Sequence, residues 1–154
     1  MGPPPHLTPP TLDLSRPAER LVIDKSERRL TVFQDADARA SFPIALGFTP
    51  EGDKQREGDG KTPEGLFHIN RRNGASAYHL SLGIDYPQPD DVARARAAGV
   101  SPGGDIFIHG QPNSIGARIT LAHDWTAGCI AVSNAVIEDL WQIVAIGTPV
   151  EIRP

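Results

Sequence analysis

The chain has 154 residues, 39% hydrophobic and 22% charged, and its 15 basic against 19 acidic residues leave a formal net charge of −4. A chain of this length buries roughly two-thirds of its unfolded surface in one core, so a second full domain is not expected, and the acidic balance argues against the broad basic face that a nucleic-acid partner requires. No run approaches the roughly 20 consecutive apolar residues that cross a bilayer, so no transmembrane segment is expected, and Met1-Gly2-Pro3-Pro4-Pro5 shows neither the basic nor the apolar region of a secretory signal.

Residues 1–18 read as a Pro-rich tail or linker. Six prolines (Pro3, Pro4, Pro5, Pro9, Pro10, Pro17) favour extended polyproline II and leave little apolar surface to bury. The folded domain is expected over 19–154. Arg20-Leu21-Val22-Ile23-Asp24 and Arg29-Leu30-Thr31-Val32-Phe33, joined by the polar Lys25 to Arg28, predict a hairpin. Ser41 to Leu46 predicts a further strand, which Pro43 pushes to a sheet edge or bulge because proline donates no ladder hydrogen bond. Gly47 to Gly65 contains five glycines interspersed with charges, the composition of a surface excursion, and ends in a Lys61-Thr62-Pro63-Glu64-Gly65 turn.

Strands are expected at Leu66–Asn70 and Ala77–Ile84. A short helix follows over Asp91–Ala98, with Asp90 as N-cap and Gly99 as its stop. Asp105-Ile106-Phe107-Ile108-His109, set between glycines, is the clearest buried-strand signal. Ile137, Leu140, Trp141 and Val144 fall at i, i+3, i+4 and i+7 and predict an amphipathic helix over Ala135–Ile146, capped by Asn134 and ended by Gly147. Pro149–Ile152 is the last strand. With seven or eight strands, two helices and no βαβ alternation, the expectation is a mostly-β domain with a packed helix.

Chemistry concentrates on one residue type. Cys129 is the sole cysteine, which excludes an internal disulfide and a multi-cysteine zinc site. A thiol between apolar neighbours is either a small buried hydrophobe or a nucleophile. Gly128 before it leaves the backbone uncrowded, as attack on a carbonyl with oxyanion stabilisation by amides requires. A nucleophilic thiol needs a base. Of five histidines, His6 lies in the tail, His68 and His79 lie in strand-like runs, His123 sits in a polar loop near the cysteine, and His109 ends the most apolar strand and precedes Gly110.

Ile108-His109-Gly110, then Thr126-Ala127-Gly128-Cys129-Ile130, with the Thr62-Pro63-Glu64-Gly65 turn upstream, resembles the catalytic domain of the L,D-transpeptidases, the YkuD-type fold, over roughly residues 20–152. The resemblance implies a sandwich-like mixed sheet with one C-terminal helix packed on it and one short helix in a loop. It makes Cys129 the nucleophile and His109 its general base. Gly110 would orient the imidazole through its backbone carbonyl, Gly128 with Cys129 would form the oxyanion hole, and Thr126 would shape the site. The implied substrate is the peptidoglycan stem tetrapeptide, attacked at the carbonyl of its third residue with loss of D-alanine. No cofactor and no metal is implied, a monomer is expected, and the location implied is periplasmic or otherwise extracytoplasmic.

Where the family commonly has arginine, two residues beyond the cysteine, this chain has Ala131. Arg118, or Arg71 and Arg72, are candidates to replace that guanidinium. Tyr86, which opens the Pro- and Gly-rich segment running to Gly104, and His123 complete the candidate substrate contacts; the segment itself reads either as a lid or as a plain connection. Three other outcomes remain open. The same Cys-His pair with water as acceptor would make an L,D-carboxypeptidase or an amidase releasing a wall-attached protein. A zinc hydrolase would use His79, His109 and His123 with Asp124 or Asp105. A wall-binding module would keep the fold without catalysis.

Overall fold

A computed structural model describes residues 12–116 and 118–154; the first eleven residues of the Pro-rich segment lie outside the described residues. The elements are β1 (Arg20–Asp24), β2 (Arg29–Gln34), β3 (Asp37–Pro43), β4 (Gly65–Ser76), β5 (His79–Ile84), α1 (Pro89–Ala97), β6 (Phe107–His109), β7 (Ile130–Ala131), α2 (Asn134–Ile143) and β8 (Pro149–Arg153). The eight strands form one mixed sheet in the order β3-β2-β1-β8-β4-β5-β6-β7. β1 runs parallel to β8 and β6 parallel to β7, and the other neighbours are antiparallel.

Alternation builds the expected first hairpin. Leu30 and Val32 of β2 are fully buried while Arg29, Thr31 and Phe33 are half-exposed, the period of a strand covered on one face. β3 lies on the sheet edge, as Pro43 demands, but it spans Asp37–Pro43 and not Ser41–Leu46. Asp35 and Ala36 reverse the chain at φ 52° and 66°, a tight turn between strands of the kind usually signalled by Asn-Gly. Beyond Pro43 the chain leaves β2 and crosses to the other sheet edge. There Ala45 and Ala131 exchange N–H···O bonds of 2.9 Å in both directions, which ties the segment after β3 to β7 at the opposite end of the strand order.

β4 runs twelve residues, well past the expected Leu66–Asn70. Its second half, from Arg71, is polar and mostly exposed, and the pairing with β5 holds it through two irregularities of register. α1 starts at Pro89, with Gln88 as the N-cap in a capping box with Asp91 instead of the expected Asp90. α2 is capped by Ser133, whose Oγ accepts from Val136 N, one residue before the expected Asn134. Ile137, Leu140 and Ile143 pack α2 into the single core against β5 and β6. Each such side chain contributes about 1.5–3 kcal/mol by burial.

Two polar side chains tie peripheral segments to this frame. Gln34 is fully buried and donates to Asp13 O and Arg16 O while accepting from Asp13 N, which lays residues 12–18 along the sheet. Lys25 is buried at the end of β1, where its ammonium donates to Thr62 O at 2.7 Å and Gly52 O at 2.9 Å and pairs with Glu64 at 3.1 Å. The Gly47–Gly65 segment is therefore packed, not a free surface excursion. Its glycines permit this: a Cβ on Gly47 would stand 2.1 Å from Gly60 O and 3.2 Å from the Cα of Gly128.

Candidate active site

The site lies where β6 and β7 run side by side. Ile108 pairs with Ile130 and His109 with Ala131, so Cys129, one residue before β7, stands opposite Phe107, two residues from the level of His109. The turn before Cys129 is closed by Thr126. Its hydroxyl donates to Cys129 O at 2.7 Å and accepts from Gly128 N at 3.1 Å, while its own N–H and C=O bond Leu46 and Phe48 of the packed segment. Gly128 takes φ +143°, and a Cβ there would meet Lys61 O at 2.8 Å and Ile106 Cδ1 at 3.2 Å. Only glycine fits this conformation in this space.

The Gly128 result corrects one expectation. Its N–H is spent on Thr126 Oγ1, so it is not a free oxyanion donor.

The Cys129 thiol donates to Asp105 O and accepts from Phe107 N, both at 3.4 Å; His109 is not among its partners. Burial pushes the thiol pKa above its ordinary value of 9.0. The Phe107 N–H and the charges of Lys54 and Arg71 pull it back in part, and Asp105 adds to the rise. His109 is 2% exposed. Its ring stacks on Tyr78 at 4.4 Å between centroids, with Trp125 at 5.7 Å. Nδ1 lies 2.7 Å from Gly110 O, and because a carbonyl can only accept, Nδ1 carries the proton and Nε2 keeps the free lone pair. Burial lowers the imidazole pKa below 6.5, and the bond to Gly110 opposes that only in part.

Both shifts favour neutral partners at rest, a thiol and an imidazole, over a thiolate-imidazolium pair. The rate of Cys129 alkylation by iodoacetamide is therefore expected to keep rising past pH 9, because the thiolate fraction grows until the raised pKa is passed. A plateau reached below pH 8 would contradict this and indicate a preformed ion pair.

Other candidates fall elsewhere. Tyr86 is 3% exposed; it packs edge-on against Phe67 and its hydroxyl donates to Pro102 O at 2.7 Å, so it is a core residue and not a substrate contact. Arg118 and His123 are exposed on the loop before Cys129. Arg72 stacks on Trp141 and donates to Trp141 O and Val144 O, satisfying carbonyls at the end of α2. His79 pairs with Glu138 at 2.7 Å. Among the described residues no group of three His, Cys, Asp or Glu side chains could hold a metal ion, which leaves the zinc arrangement without a site. Nor is any described helix long and apolar enough to cross a membrane.

Three residues near Cys129 were not signalled by sequence. Tyr78 and Trp125 wall the imidazole. Lys54, 3% exposed, forms an ion pair with Asp59 at 2.9 Å, and its Nζ lies 3.7 Å from where a Gly128 Cβ would stand. Burial alone would raise the Asp59 pKa, but bonds from Gln55 N, the Lys54 ammonium, Arg56 N and Lys61 N hold it down at about 2. Only the folded segment brings these charges together.

The fold and the placement of these residues define a class. The family model of the L,D-transpeptidase catalytic domain, YkuD, matches residues 18–152, and the chain belongs to that family. A curated relative is YafK of Escherichia coli, itself named as a candidate L,D-transpeptidase, 34% identical over 128 residues that cover 79% of this chain and 45% of YafK. The chain thus spans about half the length of the curated relatives it matches. Among solved structures, the helical cell shape determining protein Pgp2 from Campylobacter jejuni superposes with TM-score 0.66 at 25% identity, over 96% of this chain and 52% of that one. An L,D-transpeptidase from Mycobacterium smegmatis shares the fold at TM-score 0.58 and 16% identity, over 89% and 59% of the two chains.

Proposed function

We propose that the protein is a peptidoglycan L,D-transpeptidase working through a Cys129 thioester in the periplasm or cell wall. The observation that carries this reading is the fixed tautomer of a buried His109, whose basic Nε2 is kept free on the strand beside the nucleophile. In the first half-reaction the thiol turns from Asp105 O and gives its proton to Nε2 as sulfur attacks the carbonyl of the third stem residue. The oxyanion forms against the Cys129 amide. Collapse breaks the peptide bond, and the imidazolium returns the proton to the departing amine of D-alanine. An amine of a second stem then attacks the thioester, His109 takes its proton, and the C–S bond breaks to restore the thiol.

Incubation of the protein with a disaccharide tetrapeptide tests the acceptor. A cross-linked dimer lacking one alanine is the expected product by mass. A tripeptide alone would mean that water takes the acyl group, as in a carboxypeptidase.

A further inference from the structure

We infer that Arg71 is the specificity-determining residue of this site, receiving a carboxylate of the acyl donor close to the scissile carbonyl. The inference rests on the acyl-enzyme reading above and names what that site recognises. The position two residues beyond the nucleophile is unsuited to the task. Ala131 is buried, with both backbone groups bonded to Ala45, and it lines an apolar cavity of about 170 Å³ with Ile44, Val132 and Val136.

A cation reaches the nucleophile from the other side. Arg71 leaves β4 and lies across β5 directly over Gly83, where an added Cβ would stand 2.5 Å from Arg71 Cγ and 2.8 Å from its Nε. The missing side chain at 83 is the channel through which the guanidinium arrives at β6. There it sits over the Phe107 ring, 4.5 Å from the centroid. Phe107 is also the residue whose N–H bonds Cys129 Sγ, and the Arg71 charge is felt at the thiol. Stacking on an aromatic face holds a guanidinium flat and leaves its edge open to a planar acceptor.

The donors of Arg71 divide into fixed and exchangeable ones. Nη1 donates to Asn70 Oδ1 at 2.9 Å and Ile84 O at 3.2 Å, which anchors the group. Nη2 reaches Asp105 Oδ1 at 3.3 Å, a long contact to a side chain that is 89% exposed, and Arg71 itself is 37% exposed. Asp105 belongs to the residue whose backbone oxygen holds the resting thiol. Its carboxylate occupies the position that a substrate carboxylate would take, and it is displaceable. Lys54, the other cation near the thiol, is buried on Asp59 and has no such opening.

Two carboxylates of a stem peptide lie near the scissile bond: that of the terminal D-alanine and any side-chain carboxylate of the third residue. Kinetics on three donors separate them: the free tetrapeptide, its C-terminal amide, and one amidated on the third side chain. The wild type is expected to favour the free donor by 10- to 100-fold in kcat/KM over whichever amide removes the recognised group, the range for a charge-assisted bond. Arg71→Met should collapse that ratio to near one, mainly through KM. Arg71→Lys should keep part of it, and Asp105→Asn should lower KM for the free donor. Equal use of all three donors by the wild type, or an equal loss on all three in Arg71→Met, would overturn the assignment. Absence of any Cys129-dependent turnover in the wild type would overturn the underlying reading and the assignment with it, and is recognisable because no donor reacts.

Discussion

Cys129→Ala is expected to reduce release of D-alanine to background, and His109→Gln to lower the rate of thioester formation by roughly 10²- to 10⁴-fold. The two losses differ in kind. Alanine removes the atom that bonds the acyl group, so no intermediate forms. Glutamine leaves the thiol in place but offers no Nε2 lone pair, and a thiol whose pKa burial has raised is then left to ionise unaided. The pH profile separates base catalysis from mere packing. His109 must be neutral to accept the proton, and its pKa lies below 6.5, so wild-type activity should fall only as the pH drops below 6.5. His109→Gln should instead show a rate that rises about tenfold per pH unit across the whole range, as the thiolate fraction of an unaided thiol does, with no levelling above the imidazole pKa. Stopped-flow detection of the acyl-enzyme between pH 4.5 and 8 checks both statements, and a His109→Gln variant with an unchanged rate and limb would remove the histidine from the mechanism.

The second large effect is expected at Gly128. Gly128→Ala places a methyl group 2.8 Å from Lys61 O at φ +143°, so either the turn or the Lys61 segment must move. Backbone strain of this kind costs about 1–3 kcal/mol where it persists. Displacing the Cys129 amide, proposed above to receive the oxyanion, is expected to cost roughly 10²- to 10³-fold in kcat. The variant should therefore lose kcat by that factor, with a thermal midpoint lowered by several degrees, since the added methyl group also crowds the buried Ile106 at 3.2 Å. Unaltered kcat in Gly128→Ala would show that the turn tolerates a left-handed alanine and that its geometry is not what sustains the chemistry.

What was legible in the sequence was local. The Leu30/Val32 alternation, the Ile137/Leu140 stripe of α2 and the isolated Phe107–His109 strand each carry their signal within a few residues, and His109-Gly110 and Thr126 to Cys129 lie within single turns or strands. What was not legible depends on contacts distant in sequence. Nothing near Lys54 announces that Gly47 and Gly60 let its segment pack beneath Gly128. Arg71 reads as a solvated strand residue until Gly83 is seen to lie under it. The extension of β4 past Asn70 has no apolar alternation because it is exposed, and only its pairing with β5 makes it a strand. Ser133 and Asn134 are equally good N-caps by type. Tertiary structure decides between them, for the Asn134 side chain accepts from Gln111 N while Ser133 takes the helix.

Intact-protein mass spectrometry after brief exposure to a disaccharide tetrapeptide tests the account most directly. The expected result is an adduct of the donor minus D-alanine, located on Cys129 after proteolysis, labile to hydroxylamine and absent from Cys129→Ala. An unmodified protein that nonetheless releases D-alanine, or an adduct on any other residue, would contradict it.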